Sequence, residues 1–227
     1  MKTRKVLQIE VVSDLVSPWC YLGMRRLEQA LARLEGASHP DVQWRPYEIN
    51  PELPKDGVDV DRYLSSVFGT PDAGREVLNR LATLGEENGI RFDFERVNSV
   101  PNTMNAHRLI LLATDHGKGP TMAQRLFRGF FEEGQDIGRI EVLADLGGEA
   151  GLNPDDIREC LAGDRYRQAV RVTESQVREA GLTGVPTIVF NRRLAVSGVH
   201  DPDVLISVID KALFHELPED PVPGQLH

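Results

Sequence analysis

Cysteine is scarce in this chain, with Cys20 and Cys160 the two among 227 residues. Two thiols are too few for the disulfide framework that holds small secreted domains together. The formal net charge of −9 argues against a general affinity for nucleic acid or anionic membranes. No apolar run approaches the roughly 20 residues that a membrane-spanning helix needs. We therefore expect neither a nucleic-acid nor a membrane partner.

Targeting and metal-binding signals are missing as well. Basic residues at 1–5 precede an apolar stretch at 6–10 that is too short and too interrupted for a signal peptide, so we expect a cytoplasmic protein. The six histidines are scattered without the spacing of metal ligands, and the chain has no glycine-rich phosphate loop. We therefore expect no metal site. The 41% hydrophobic and 27% charged content is ordinary for a soluble globular protein.

What the sequence does contain is a strand-to-helix turn with polar and thiol side chains. An apolar β-type run at 6–12 leads into Ser17-Pro18-Trp19-Cys20, and a helical spacing of apolar residues follows. Proline suits the first turn of a helix, where its missing N–H costs nothing. The free N–H groups and partial positive charge of a helix start lower the pKa of a thiol and stabilise anions. This turn is therefore the first candidate site.

The order of predicted elements is βαβ, then helices, then ββα. The elements predicted at the two ends of the chain are strands at 6–14, 42–49, 186–190 and 194–197 and helices at 18–34 and 201–215. The helices predicted between them are at 61–68, 72–88, 103–115, 121–133, 141–150, 153–161 and 165–180. The first two strands should be parallel, because a right-handed helical crossover joins them.

Several separated motifs resemble the DsbA family of thioredoxin-fold oxidoreductases, and most closely its FrnE-type branch. That branch has a strand ending in Ser-Asp and then Cys-Pro-Trp-Cys-Tyr-Ile-Gly, where this chain has Ser-Pro-Trp-Cys-Tyr-Leu-Gly at 17–23. The runs at 102–109 and 131–137, Asn-Thr-Met-Asn-Ala-His-Arg-Leu and Phe-Glu-Glu-Gly-Gln-Asp-Ile, also resemble that branch. The resemblance covers about Ile9 to Leu213.

The resemblance implies an α/β protein with a thioredoxin fold and an inserted all-helical domain. Residues 1–54 and 168–216 would form the thioredoxin-fold domain, 55–167 the inserted helical domain and 217–227 an irregular tail. Thioredoxin-fold proteins also place a cis-proline opposite the start of the first helix, which implies a cis Val185-Pro186 bond. In the family, the backbone before that proline pairs with a bound thiol peptide.

The strand-to-helix turn and the resemblance supply most of the candidate site residues, and Asn50 is added because it lies just after the second predicted strand. Ser17 and Cys20 stand at the two catalytic positions. The substrate-binding candidates are Pro18, Trp19, Asn50, His107, Val185 and Pro186. Asn50 also fits an ordinary Asn-Pro turn, and His107 also fits a helix-capping or core position.

Ser17 stands where the family has its attacking cysteine, and it leaves three functions open. A serine hydroxyl cannot form a disulfide, so the first function is that of a DsbA/FrnE-like thiol-disulfide oxidoreductase whose dithiol activity is in question.

The second function is that of a glutathione-dependent isomerase or transferase. Kappa-class glutathione transferases and 2-hydroxychromene-2-carboxylate isomerase have a similar serine that activates the glutathione thiol. Their Gly-Ser-Asp-Arg run is Gly-Val-His-Asp at 198–201 here. The third is a non-catalytic thiol or peptide binder.

Cofactor and partner expectations follow from these functions. No cofactor is required by the first function, and glutathione enters with the second. The expected partner is a thiol-containing small molecule or peptide substrate. The sequence leaves open whether the protein forms a homodimer. Cys160 is predicted to be a buried small hydrophobe, and nothing in the sequence supports a bridge between it and Cys20.

Overall fold

The computed structural model of the protein describes residues 7–34 and 40–214. In chain order, its strands are β1 (Gln8–Ser13), β2 (Asp41–Pro46), β3 (Val58–Asp59), β4 (Ser99–Val100), β5 (Thr187–Phe190) and β6 (Leu194–Ser197). Its α-helices are α1 (Pro18–Ala32), α2 (Val60–Phe68), α3 (Pro71–Glu87), α4 (Met104–Asp115), α5 (Gly119–Phe131), α6 (Ile140–Glu149), α7 (Pro154–Ala162), α8 (Arg167–Glu179) and α9 (Pro202–Phe214). The order βαβ, helices, ββα is the predicted one.

The central sheet takes its strands from both ends of the chain, in the order β2-β1-β5-β6. Strands β1 and β2 are parallel, as predicted, and the other pairs are antiparallel. Asn191 and Arg192 form the β5–β6 turn with positive φ angles of 50° and 55°. Asparagine tolerates this conformation, and Asn191 also exchanges two hydrogen bonds with the backbone of Gln8 (2.8 and 2.9 Å). The hairpin is thereby fixed to the start of the central strand.

A small apolar cluster fixes the segment that enters β5. Val12 of β1 is buried with Tyr47 and with Val177 and Ala180 at the end of α8, and Val185 packs against this group. Since side chains alternate along a strand, Val12 lies on the opposite face of the sheet from the neighbouring residues 11 and 13. Arg178 of α8 donates a hydrogen bond to the Tyr47 hydroxyl (2.8 Å), and its guanidinium lies 4.2 Å from the centre of the Tyr47 ring.

The segment between β2 and β5 is mostly helical and has its own aromatic core. Strands β3 and β4 form a separate two-stranded ladder in which Val58 pairs with Val100. The side chains that stack or meet edge to face in the core are Phe92, Phe94, Phe127, Phe130 and Phe131. The chain at 90–93 is irregular and leads into one turn of 3-10 helix at Phe94–Arg96.

The chain divides into two compact units. One comprises Met1–Tyr47 with Arg171–His227, and the other comprises Glu48–Val170. The domain limits inferred from the resemblance stay a prediction, and the predicted irregular tail at 217–227 lies outside the described residues. None of the helices in the described part of the chain has both the length and the apolar character needed to cross a bilayer.

Candidate functional site at the start of helix α1

The loop between β1 and α1 is shaped by Asp14. Its main-chain carbonyl accepts the N–H of Ser17 (3.4 Å), and its side-chain Oδ1 accepts the N–H of Leu15 (2.7 Å). Asp14 and Leu15 are both fully buried. The loop is therefore a tight turn inside the protein, and it delivers Ser17 to the start of the helix.

Ser17 is the N-cap of α1. It has extended backbone angles, and its hydroxyl oxygen accepts the N–H of Cys20 (3.3 Å), one of the N–H groups that a helix start leaves without an intrahelical acceptor. Pro18 occupies the first helical position, as predicted. The Ser17 hydroxyl uses its oxygen as an acceptor in this bond, so its own proton can still be donated to another group.

Cys20 lies inside the protein, with 1% of its surface exposed. Burial raises the pKa of its thiol to about 11, because the low-polarity surroundings disfavour a charged sulfur. The Ser13 and Ser17 hydroxyls and the Asp14 backbone lower this pKa, whereas the negative charge of Asp14 raises it. The thiolate-favouring effect expected of a helix start is therefore outweighed at Cys20.

Trp19 differs from its neighbours in being 43% exposed. Ser17 and Cys20, on either side of Pro18-Trp19, are both buried. An exposed indole beside a buried polar turn offers apolar contact area to a molecule that reaches the helix start. Trp19 is thus the member of the predicted set that is most open to solvent.

The Val185-Pro186 bond is cis, which confirms the prediction from the resemblance. The Pro186 ring packs on α1 so closely that a Cβ on Gly23 would lie 2.9 Å from its Cγ. The Pro186 carbonyl accepts the N–H of Gly198 (2.8 Å), the residue that follows β6. This bond holds the proline segment to the end of that strand. Pro186 therefore lies against the helix that Ser17 caps. Its predicted place beside the Ser17 side chain stays a prediction.

Asn50 and His107 belong to the second unit. The Asn50 amide donates a hydrogen bond to the Tyr63 hydroxyl of α2 (3.1 Å), an arrangement that the sequence did not indicate. His107 is fully buried in α4. Their predicted grouping with Ser17 and Cys20 in one binding site stays a prediction.

The run at 102–109, which resembles the FrnE branch, has a structural role at two of its polar residues. The Asn102 amide donates to the main-chain carbonyls of Pro51 and Leu53 (3.3 Å each), and its oxygen accepts the N–H of Met104 (3.1 Å). Arg108 is fully buried, and all five of its N–H groups reach oxygen atoms at 2.6 to 3.2 Å. The five acceptors are the Asn105 side chain and the main-chain carbonyls of Cys160, Leu161, Gly163 and Arg165.

Two residues of the site, Ser13 and Asp14, were missing from the predicted set. Both are fully buried and both act on the Cys20 sulfur. The available signal was their position, because two polar residues at the end of a buried apolar strand are unusual unless they have a role. The part of the chain that the structure describes has no group of three or more His, Cys, Asp or Glu side chains that could hold a metal ion.

Comparisons with known proteins identify the family and the fold of the chain. Residues 8–210 match the family model of the DSBA-like thioredoxin domain. The chain is similar to the crystal structure of a probable DsbA oxidoreductase from Streptomyces coelicolor, with 28% identity, a TM-score of 0.87 and coverage of 94% of this chain and 93% of that one. It is 27% identical over 204 residues to the uncharacterized protein YwbO of Bacillus subtilis, covering 89% of this chain and 96% of YwbO.

A more distant likeness concerns the fold alone. The cytosolic disulfide reductase DsbM from Pseudomonas aeruginosa, in a crystal structure with GSH, is 21% identical with a TM-score of 0.65, over 91% of this chain and 98% of that one. The predicted fold class, a thioredoxin-like α/β fold with an inserted helical segment, is confirmed. The chain therefore belongs to the family of proteins with a DSBA-like thioredoxin domain.

Proposed function

We propose that this chain is a member of the FrnE-like branch of the thiol-disulfide oxidoreductase family in which Ser17 blocks the dithiol reaction. The observation that carries the proposal is the pairing of a serine at the helix start with a buried Cys20 thiol whose pKa is about 11. At neutral pH, such a thiol is ionised in only about one molecule in ten thousand. Neither position therefore supplies a ready thiolate.

The reaction itself explains why both positions are needed. An attacking thiolate breaks the substrate disulfide, forms a mixed disulfide with one sulfur and releases the other as a thiolate. A second thiolate of the enzyme then attacks the mixed disulfide, forms an internal disulfide and releases the remaining substrate thiol. The substrate gains two electrons, and the enzyme loses them. Ser17 has no sulfur and cannot attack the substrate disulfide. Cys20 stands at the position of the second thiol, which attacks the mixed disulfide.

The substrate class is a thiol-containing peptide or small molecule. Exposed Trp19 offers an apolar contact next to the turn, and Pro186 lies against the same helix. The runs at 17–23, 102–109 and 131–137 support placement in the FrnE-like branch. We place substrate contacts at Pro18, Trp19, Val185 and Pro186.

The test is to measure insulin reduction by the parent and by Ser17→Cys with the same small dithiol as electron donor. We expect the variant to turn over insulin well above the rate of the parent, because it supplies a thiol at the helix start, where the free N–H groups and the helix dipole favour a thiolate. Ser17→Ala is the matched control, since it removes the hydroxyl without adding a thiol and should stay at the parent rate. Equal rates for the parent and Ser17→Cys would overturn the proposal.

A second candidate function uses Ser17 directly. Because the Ser17 hydroxyl accepts the Cys20 N–H, its proton is available to a thiolate outside the helix start. DsbM shares this fold and is described with GSH, which makes glutathione the ligand to test. Calorimetric titration of glutathione into the parent and into Ser17→Ala separates the possibilities. Binding that weakens in Ser17→Ala, together with turnover of an aromatic substrate, favours the isomerase or transferase. Binding without turnover favours a non-catalytic binder.

A further inference from the structure

The loop that joins α8 to β5 is held by its main-chain carbonyls on both sides of Val185. Three of these carbonyls, those of Thr183, Gly184 and Pro186, accept hydrogen bonds from residues outside the loop. The donors are, in that order, the Tyr47 hydroxyl (3.4 Å), the Thr187 hydroxyl (2.8 Å) and the Gly198 N–H (2.8 Å). Within the described residues, by contrast, neither the N–H nor the C=O of half-buried Val185 has a hydrogen-bond partner. The backbone of Val185 is therefore the part of the loop that can pair with another molecule.

Tyr47 is the donor that reaches the loop from the end of β2. It is buried, and its ring belongs to the apolar cluster against which Leu182 and Val185 pack. A ring packed on several sides keeps its hydroxyl in one place, and a buried tyrosine hydroxyl needs a polar partner. Tyr47 therefore holds the loop twice, through the packing of its ring and through the carbonyl of Thr183.

Arg178 in turn holds Tyr47. It lies in the last turn of α8, and its Nη1 donates a hydrogen bond to the Tyr47 hydroxyl oxygen (2.8 Å). Its guanidinium lies 4.2 Å from the centre of the same ring, where the negative face of an aromatic ring attracts a cation. The donated hydrogen bond polarises the Tyr47 O–H and strengthens its own donation to Thr183. This support matters because the Tyr47 to Thr183 distance of 3.4 Å is long for such a bond.

We infer that Tyr47 and Arg178 are positioning residues, which hold the main chain at 183–185 so that Val185 can pair with the backbone of a disulfide-containing peptide. The inference rests on the proposed function, in which Val185 and Pro186 contact the substrate. Neither side chain needs to touch the reacting sulfur atoms, because both act through the loop. A peptide has backbone groups that can pair with Val185, whereas a small disulfide has none. The two residues should therefore matter for the first kind of substrate and not for the second.

The kinetic test uses Ser17→Cys as the background and compares insulin with hydroxyethyl disulfide, a small substrate without peptide groups. Adding Tyr47→Phe removes one hydroxyl and keeps the ring. We expect KM for insulin to rise about fivefold, the size of one hydrogen bond, with kcat nearly unchanged and no effect on hydroxyethyl disulfide. Arg178→Met should act in the same direction. Arg178→Lys keeps a cation that can donate to the hydroxyl and should fall between Arg178→Met and the background.

Tyr166→Phe is the matched control, because it removes a hydroxyl that is hydrogen-bonded to Asp115 in the other unit. It should leave the kinetics of both substrates unchanged. An unchanged KM for insulin in Tyr47→Phe would overturn the inference. Equal losses on the two substrates would overturn it as well, since a general weakening of the fold does not distinguish a peptide from a small disulfide.

A second measurement tests the positioning without catalysis. Backbone amide relaxation in the chain with Ser17 retained gives order parameters at 183–185, and we expect them to fall in Tyr47→Phe and not in Tyr166→Phe. A loop that stays equally ordered in Tyr47→Phe overturns the inference whatever the kinetics show. If Ser17→Cys reduces neither substrate while the loop loosens in Tyr47→Phe, the proposed function fails and the positioning role stands.

Discussion

Two buried polar clusters, one in each unit, differ in how completely their hydrogen bonds are satisfied. Around Arg108, five N–H groups meet five oxygen atoms. Around Cys20, the Ser13 hydroxyl has no hydrogen-bond partner in the described residues, and burial favours the neutral thiol. Each cluster includes a buried cysteine, since the Cys160 carbonyl is one of the acceptors of Arg108. The comparison shows that the Arg108 cluster is fully hydrogen-bonded and holds structure, whereas the Cys20 cluster leaves a buried hydroxyl unpaired among the described residues.

The Arg108 cluster closes the end of helix α7. The last carbonyls of a helix have no intrahelical donor, and they form the negative end of its dipole. A guanidinium placed there satisfies several of them at once and carries the complementary charge. Burial lowers the pKa of Arg108, since it disfavours the charged form, yet the hydrogen bonds are those of a guanidinium cation.

The largest expected effect in the comparison comes from removing Arg108. Arg108→Met keeps much of the side-chain volume but leaves the carbonyls at the end of α7 without donors. We expect the free energy of unfolding to fall by roughly 3–5 kcal/mol, because several buried carbonyls lose their hydrogen-bond donors at once. Denaturant unfolding followed by circular dichroism measures it. Arg158→Met is the matched control, because Arg158 lies on α7 itself and pairs with exposed carboxylates. Its replacement should change the unfolding midpoint little. Similar losses from both variants would contradict the special role of Arg108.

Local sequence patterns predicted most of the fold because they depend on neighbours in the chain. The apolar run into Ser17, the proline at the first turn and the Asn153-Pro154 start of α7 each signal an element boundary within a few residues. Strands β3 and β4 were missed, because two-residue strands carry no periodicity.

The site was less predictable, because its properties depend on contacts between distant residues. Ser17 and Cys20 were evident from the turn, but the raised pKa of Cys20 reflects burial on all sides, which no spacing in the sequence encodes. The role of Arg108 depends on residues more than fifty positions away in the chain. The resemblance identified the run at 102–109, which contains Arg108, but it did not indicate which residues of that run are structural and which are functional.

The next effect concerns alkaline stability. The pKa of the Cys20 thiol rises from 9.0 to about 11 on folding, so the folded state holds this proton more tightly than the unfolded state. This contribution is fully present below pH 9.0 and is lost as the pH rises towards about 11. It amounts to roughly 2–3 kcal/mol. The difference in unfolding free energy between the parent and Cys20→Ala should therefore shrink by that amount as the pH rises from 9.0 towards about 11.

The control for alkaline stability is Val12→Ala, which creates a cavity in the same unit without removing a titrating group. Its difference from the parent should not depend on pH over the same window. Unfolding by urea at fixed pH steps gives both differences. A pH-independent difference for Cys20→Ala would mean that the thiol is not held neutral by the fold.

A smaller effect is expected where Pro186 meets α1. In Gly23→Ala, the new Cβ would lie 2.9 Å from the Pro186 Cγ, closer than such atoms pack. We expect the proline segment or the helix to shift, at a cost of roughly 1–3 kcal/mol in unfolding free energy. Gly184→Ala is the control, because a Cβ there meets nothing within 4 Å. Thermal unfolding of the two variants compares them, and equal melting temperatures would show that the contact is loose.

The central claim is that the Cys20 thiol of this chain does not exchange with disulfides and that a thiol at position 17 is the missing part. Intact mass after incubation of the parent and Ser17→Cys with oxidised glutathione at neutral pH tests it most directly. We predict that the parent keeps its mass. Ser17→Cys should convert to an internal disulfide, releasing two glutathione thiols for each oxidised glutathione consumed. A parent that gains one glutathione on Cys20, or a variant that keeps a glutathione adduct without closing the internal disulfide, would contradict the account.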